Sequence, residues 1–233
     1  ASDLVKTMTD VGNSGSTTVT NTAFAFADAG VHTLETRIKG RAVSYYINGA
    51  LLGSLISKDG AGTAITAQGT SPASTLKSGG LLMSCGNGGS MCDAMHFAEE
   101  WTGRFRRDRS ALPAIAFSDP SQLTCIANDF GYDEVFARSV EAFGKKGDLL
   151  VAISTSGESK NVLRAVEVAK SKGIVTVGLL GRGGGRALAA VDIPIVVPLA
   201  TGSDRIQEVH IKVLHAVIEA VEREMFPANY RES

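Results

Sequence analysis

Cysteine, excess charge of either sign and long apolar runs are all scarce in this sequence, and each shortage closes off a class of protein. Only three cysteines, Cys85, Cys92 and Cys125, occur in 233 residues. The number is odd and the spacing is not that of a zinc knuckle, which argues against a disulfide framework and favours a reducing, cytoplasmic compartment. Lysine plus arginine (23) almost balances aspartate plus glutamate (24), for a formal net charge of -1. Such a balance offers no electrostatic footprint for nucleic acid or an anionic membrane surface, so neither is expected as a partner. No stretch approaches the roughly 18 consecutive apolar residues that span a bilayer, and no basic segment leads into an apolar run near the first residue.

What is present is 44% hydrophobic residues, enough at this length to bury a substantial core. The composition shifts along the chain. Residues 1–80 hold 21 Ser or Thr and 11 charged residues, whereas residues 81–233 hold 17 and 36. Two parts are therefore predicted, a β-rich N-terminal segment (1–75) and a larger domain (76–233), with the join near residues 72–80. In the first, strands are expected at 31–39, 42–48 and 51–57; Val43, Tyr45 and Ile47 alternate with Ser44 and Tyr46, and Gly40-Arg41 and Asn48-Gly49 sit at turns. The pattern His32-Thr33-Leu34-Glu35 followed by Ser44-Tyr45-Tyr46-Ile47-Asn48-Gly49 resembles a hairpin of lectin-like β-sandwiches, over too short a stretch to carry a function.

From residue 81 onward short apolar runs alternate with amphipathic stretches, the pattern of a parallel sheet flanked by helices. Strands are predicted at 81–84, 114–117, 149–153, 175–179 and 193–197. A helix at 160–172 places Val162, Leu163, Val166 and Ala169 on one face, and a longer one at 204–225 carries Ile206, Val209, Val213, Val217 and Val221 along one stripe. The fold class is α/β.

Two of the expected strand-to-helix turns carry chemistry. The strand at 149–153 runs into STSGES, residues 154–159, where Ser154, Thr155, Ser156 and Ser159 place four hydroxyls in six residues. Hydroxyls and the free amides of a helix N-terminus satisfy phosphate oxygens, and Gly157 allows close approach of the main chain. An ordinary helix cap needs a single hydroxyl. The other turn, GNGGS at 86–90, follows the strand at 81–84. In an open parallel sheet both lie at the carboxyl ends of their strands, where ligands bind. The GNGGS turn opens a helix carrying His96 and Glu100, which at four residues apart share one face. An imidazole and a carboxylate beside an anion-binding turn suit a metal or proton transfer on a phosphorylated substrate.

GNGGS, MCDAMHFAEE, NDFGY, STSGES and RIQEVHIKVLH, taken in order over residues 77–226, resemble the sugar isomerase (SIS) family and, within it, the bacterial phosphoheptose isomerases. The resemblance implies a flavodoxin-like three-layer sandwich. It implies conversion of sedoheptulose 7-phosphate into D-glycero-D-manno-heptose 7-phosphate, the first step towards activated heptose for lipopolysaccharide core or other surface glycans. It further implies that the sugar phosphate is held by Asn87, Gly88, Gly89, Ser90, Asn128, Asp129, Ser154, Thr155, Ser156 and Ser159, together with Glu100 and Gln207. A zinc site formed by His96, Glu100, Gln207 and His215, a catalytic pair Glu100 and His215, and a homotetramer are implied in the same way. The chemistry agrees: ketose–aldose isomerisation through an enediol needs a base near carbon and an acid at the oxygens.

Gln207 and His215 are eight residues apart, a rise of roughly 12 Å along a helix, which makes contact with substrate an alternative role for Gln207. His210 falls about 140° around that helix from His215 and is expected at the surface or an interface. Asp93 and Glu99 are expected as solvated or interface charges, and Cys85 and Cys92 as small packed thiols. Family members begin with helices that build the oligomer, where this chain has its Ser/Thr-rich segment. Two other functions fit the sequence: a non-catalytic phosphosugar-binding regulator on the SIS fold, of the type that associates with a replication initiator, and a glycan-binding or assembly role for residues 1–75.

Overall fold

The computed structural model describes residues 71–197 and 202–230 in full and, before them, the backbone of five strands. The chain divides into two compact units, residues 1–69 and 70–233. In the first, β1 (Lys6–Thr9), β2 (Thr17–Ala25), β3 (Val31–Lys39), β4 (Ala42–Ile47) and β5 (Ala50–Ile56) pair antiparallel in sequence order. Their side chains lie outside the described residues, and with them the lectin-like reading of residues 32–49.

The second unit opens with α1 (Pro72–Lys77), where Ser71 and Ser74 form a reciprocal capping box and Pro72 occupies the first turn. Then follow β6 (Leu82–Gly86), α2 (Gly89–Thr102), β7 (Ala114–Ala116), α3 (Pro120–Phe130), α4 (Ala137–Phe143), β8 (Leu149–Ser154), α5 (Lys160–Ser171), β9 (Val175–Gly181), α6 (Ala187–Ala190), β10 (Ile193–Val197) and α7 (Ser203–Met225). The five strands β6 to β10 form one parallel sheet in the order β10-β9-β8-β6-β7. Buried on both faces, β6 and β8 are continuously apolar but for Ser84 and Ser154. Alternation sends Met83, Cys85, Leu150 and Ala152 into a core with Val162, Val166 and Ile174. On the opposite face α2 packs on β6, β7 and β8, and α7 packs on α2. Phe97 and Trp101 of α2 meet edge to face there, with centroids 5.6 Å apart.

Strand order fixes the position of the site. From β6 the chain crosses to β7 on one side, and from β8 to β9 on the other, so the crevice between the carboxyl ends of β6 and β8 is the topological switch point. The turns GNGGS and STSGES both leave from that crevice. Each strand is longer than its apolar run predicts, because Cys85 and Gly86 continue to pair with Ala152 and Ile153, and Ser154 with Leu180. Little of GNGGS is therefore loop: Gly86 ends the strand and Gly89 begins the helix. The helix α3 falls between the strands expected at 114–117 and 149–153, where the pattern calls for helices without giving their bounds; Asp119 caps it by accepting from the Gln122 amide at 2.8 Å, with Pro120 in its first turn. No helix among the described residues is long and apolar enough to cross a membrane.

Candidate active site

The turn after β8 is lined with hydroxyls. Ser154 Oγ lies 3.5 Å from Ser156 Oγ and 3.3 Å from Ser159 Oγ, and the Gly157 amide donates to Ser154 Oγ at 3.0 Å. Ser159 is the N-cap of α5 yet its side chain caps no amide, which leaves that helix end open to an anion. Gly157 has φ 66°, and a Cβ there would lie 1.9 Å from the carbonyl oxygen of Gly184. Neither the backbone conformation nor the space admits another residue. Thr155 donates to Ser203 Oγ at 3.2 Å, tying the turn to the start of α7.

The turn after β6 is lined with backbone. Gly88 has φ 57° and caps α2 without a side chain. A Cβ on Gly89 would fall 2.4 Å from Gln207 Oε1, so the Gln207 amide rests on the first helical residue. Asn87 is fixed by a reciprocal amide pair with Asn161, at 2.9 and 2.8 Å, and accepts from the Tyr132 hydroxyl at 3.1 Å. This pair joins the two turns, since Asn161 follows STSGES in the first turn of α5. Sequence reasoning passed over Asn161 and Tyr132; the only signal was their closeness to STSGES and NDFGY. Asn128 and Asp129 are exposed near the end of α3, where Asn128 donates to Asp129 at 2.8 Å, four and three residues before Tyr132. Ser90 is buried in the first turn of α2.

Further along α2, the i,i+4 spacing does what it predicts: His96 Nε2 lies 3.1 Å from Glu100 Oε1. The helix α7 supplies His215, whose Nε2 is 3.3 Å from His96 Nε2, with the two rings edge to face at 4.9 Å. The three ligand atoms all lie within 4.8 Å of one another. Gln207 stands apart from this trio, because the two turns of α7 between it and His215 carry its amide back to Gly89. Burial raises the Glu100 pKa, partly offset by its hydrogen bond to His96. Burial lowers that of His215, and the neighbouring His96 and Arg106 lower it further. The two shifts move the carboxyl and the imidazole towards each other on the pH scale, which eases proton exchange between them and a substrate.

Two imidazole nitrogens facing each other need either a proton between them or a cation. The donors fit a zinc ion, for which two imidazoles and a carboxylate are common ligands. His96 Nε2 lies 3.1 Å from Glu100 and 3.3 Å from His215, close enough for one ion to reach all three groups.

Three neighbouring residues depart from expectation. His210 is fully buried rather than at a surface, because its side of α7 faces β9, where the ring meets the Leu180 carbonyl at 3.2 Å through Nε2. Burial pulls its pKa down to about 4, and its Nδ1 has no partner. Asp93 is buried, with its pKa raised to about 6 by that burial and Oδ2 unpartnered. Of the two thiols, Cys85 is buried and pushed up to about 12, whereas Cys92 is exposed.

The SIS domain family matches residues 50–181. Phosphoheptose isomerase of Fusobacterium nucleatum is 56% identical over 160 residues, spanning 69% of this chain and 82% of that protein. Among solved structures, phosphoheptose isomerase from Neisseria gonorrhoeae superposes with a TM-score of 0.60 at 42% identity, over 64% of this chain and 80% of that one. Its counterpart from Francisella tularensis gives a TM-score of 0.62 at 34% identity, over 65% and 82%.

Proposed function

This chain belongs to the SIS domain family and, within it, to the phosphoheptose isomerases; on that premise we propose that it converts sedoheptulose 7-phosphate into D-glycero-D-manno-heptose 7-phosphate. The product feeds activated-heptose synthesis for lipopolysaccharide core or other surface glycans. The observation that carries the reading is the convergence of His96, Glu100 and His215 on two helices whose first turns border the switch-point crevice.

In this reading the Ser154, Thr155, Ser156 and Ser159 hydroxyls and the start of α5 hold the phosphate, with the backbone of Gly88 and Gly89, Ser90 and Asn87 on the facing turn. Asn128, Asp129 and Gln207 bind sugar hydroxyls. Glu100 takes a proton from C1 of the ketose, the C–H pair becomes the C1–C2 double bond, and His215 gives a proton to the C2 oxygen. The resulting enediol then gives its O1 proton to His215 and takes a proton at C2 from Glu100, which yields the aldose and restores both groups. His96, Glu100 and His215 would hold zinc, which when bound supplies Lewis-acid polarisation of the substrate oxygens. Gln207 is assigned to the substrate rather than to the metal because its amide rests on Gly89. An oligomer, a homotetramer as the family resemblance implies, accords with the exposed Met95, Phe130, Tyr132 and Phe143.

The test is turnover of sedoheptulose 7-phosphate by the purified chain supplied with zinc, and again after chelation. Turnover that falls on chelation supports the proposal. Binding of the phosphosugar without turnover at any zinc concentration overturns it and restores the regulator reading.

A further inference from the structure

The ion pair Arg109–Glu222 is the most deeply buried in the second unit among those described, with both side chains 1% exposed. Its position gives it more than a packing role. Arg109 donates through Nη2 to the carbonyl of Glu100 itself at 2.6 Å, and through Nη1 to the carbonyls of Trp101 at 2.9 Å, Gly103 at 3.1 Å and Ser110 at 3.2 Å. Glu100 and Trp101 lie in the last turn of α2, whose carbonyls have no partner within the helix, so the guanidinium caps the helix that carries the catalytic carboxylate. Its remaining donor, Nε, bonds Glu222 Oε1 at 2.7 Å. Glu222 sits on α7 seven residues beyond His215, within about 20° of the same face. Its other oxygen accepts from the Tyr230 hydroxyl at 2.8 Å, and the Arg109 guanidinium lies over the Phe226 ring at 5.9 Å.

We propose that Arg109, Glu222 and Tyr230 are positioning residues, a buried clamp that joins the end of α2 to α7 and so sets Glu100 against His215. The inference rests on the isomerase reading for its kinetic consequence. The clamp hydrogen-bonds Glu100 only through its backbone and reaches His215 along α7. The Glu222 charge is also felt by the Glu100 carboxyl, and Tyr230→Phe leaves that charge in place, so the clamp acts on the acid–base pair and leaves phosphate binding alone. Displacements of an ångström or less at a proton-transfer pair change rate strongly.

The experiment compares the intact chain with Glu222→Gln, which keeps the shape and removes the charge, and with Tyr230→Phe, which keeps the ion pair and removes one hydrogen bond. Turnover is read at saturating zinc alongside the imidazole 15N signals of His96, His215 and His210. With Glu222→Gln, kcat should fall about tenfold or more while KM stays within about threefold, and with Tyr230→Phe it should fall about threefold. In both, the His96 and His215 signals should move while that of His210, held by Leu180, stays. Should Glu222→Gln fail to fold, Tyr230→Phe decides. A lowered Tm with wild-type kcat and unmoved His96 and His215 signals would overturn the clamp. If the intact chain does not turn over the substrate, the isomerase reading fails and the histidine signals alone decide the clamp.

Discussion

The two ends of α2 are built from opposite materials. At its start Gly88 and Gly89 leave amides bare, and neutral amide side chains from Asn87, Asn161 and Gln207 hold the turn in place. At its end charged and titratable groups gather: His96, Glu100 and His215 in contact, and beyond them the buried Arg109–Glu222 pair. An anion is best met by donors that carry no competing charge, whereas proton transfer needs groups whose charge is held near balance by burial and neighbours. One helix thus separates binding from chemistry along its length. Changes at the start should move KM, and changes at the end should move kcat.

The largest expected effect falls at the charged end. Glu100→Gln keeps the shape of the side chain and should lower kcat about 1000-fold, about 4 kcal/mol, with phosphosugar affinity within a few-fold by calorimetry. A parallel loss of affinity would erase the division between the ends.

Next is His210, which lies on α7 between Gln207 and His215 and tests whether that stretch is a neutral spacer. Its pKa is lowered from 6.5 to about 4 in the fold, so the neutral ring costs nothing above pH 6.5. As pH falls from 6.5 towards 4 the unfolded chain takes up the proton first, and up to about 3 kcal/mol of stability is lost. Urea unfolding at pH 7 and pH 4.5 should show this loss in the wild type but not in His210→Gln, beyond any acid loss the two share. An equal slope in both would mean the ring is not held neutral.

The smallest effect is expected at the binding end. Ser159→Ala removes one of the four hydroxyls and leaves the backbone of the turn intact, and should raise KM about tenfold while kcat changes less than threefold. Unchanged KM would remove the STSGES turn from phosphate binding.

Much of this arrangement was legible before the structure. The five parallel strands announced themselves as short apolar runs, because strands buried on both faces need apolar residues throughout. The i,i+4 spacing brought His96 to Glu100 without tertiary information. Less visible was whatever depended on a neighbour distant in sequence. The helical angle of His210 says where it points on α7 but not that β9 covers that side, and Asp93 is buried for the same kind of reason. Gln207 could be distrusted as a companion ligand of His215 on rise alone, yet only the packing of α7 on α2 shows its amide at Gly89. Arg109 lies in an aperiodic stretch between α2 and β7, where no periodicity marks a residue for burial.

The central claim is that the trio at the charged end moves a proton between neighbouring carbons of a phosphorylated ketose. Running the reaction of the purified, zinc-supplied chain in D2O and recording NMR spectra of the product addresses it directly. An enediol route predicts deuterium at C2 of the heptose phosphate, lost together with turnover in Glu100→Gln. Product formed equally well by Glu100→Gln, or still free of deuterium at C2 after prolonged equilibration with the enzyme, would contradict the account.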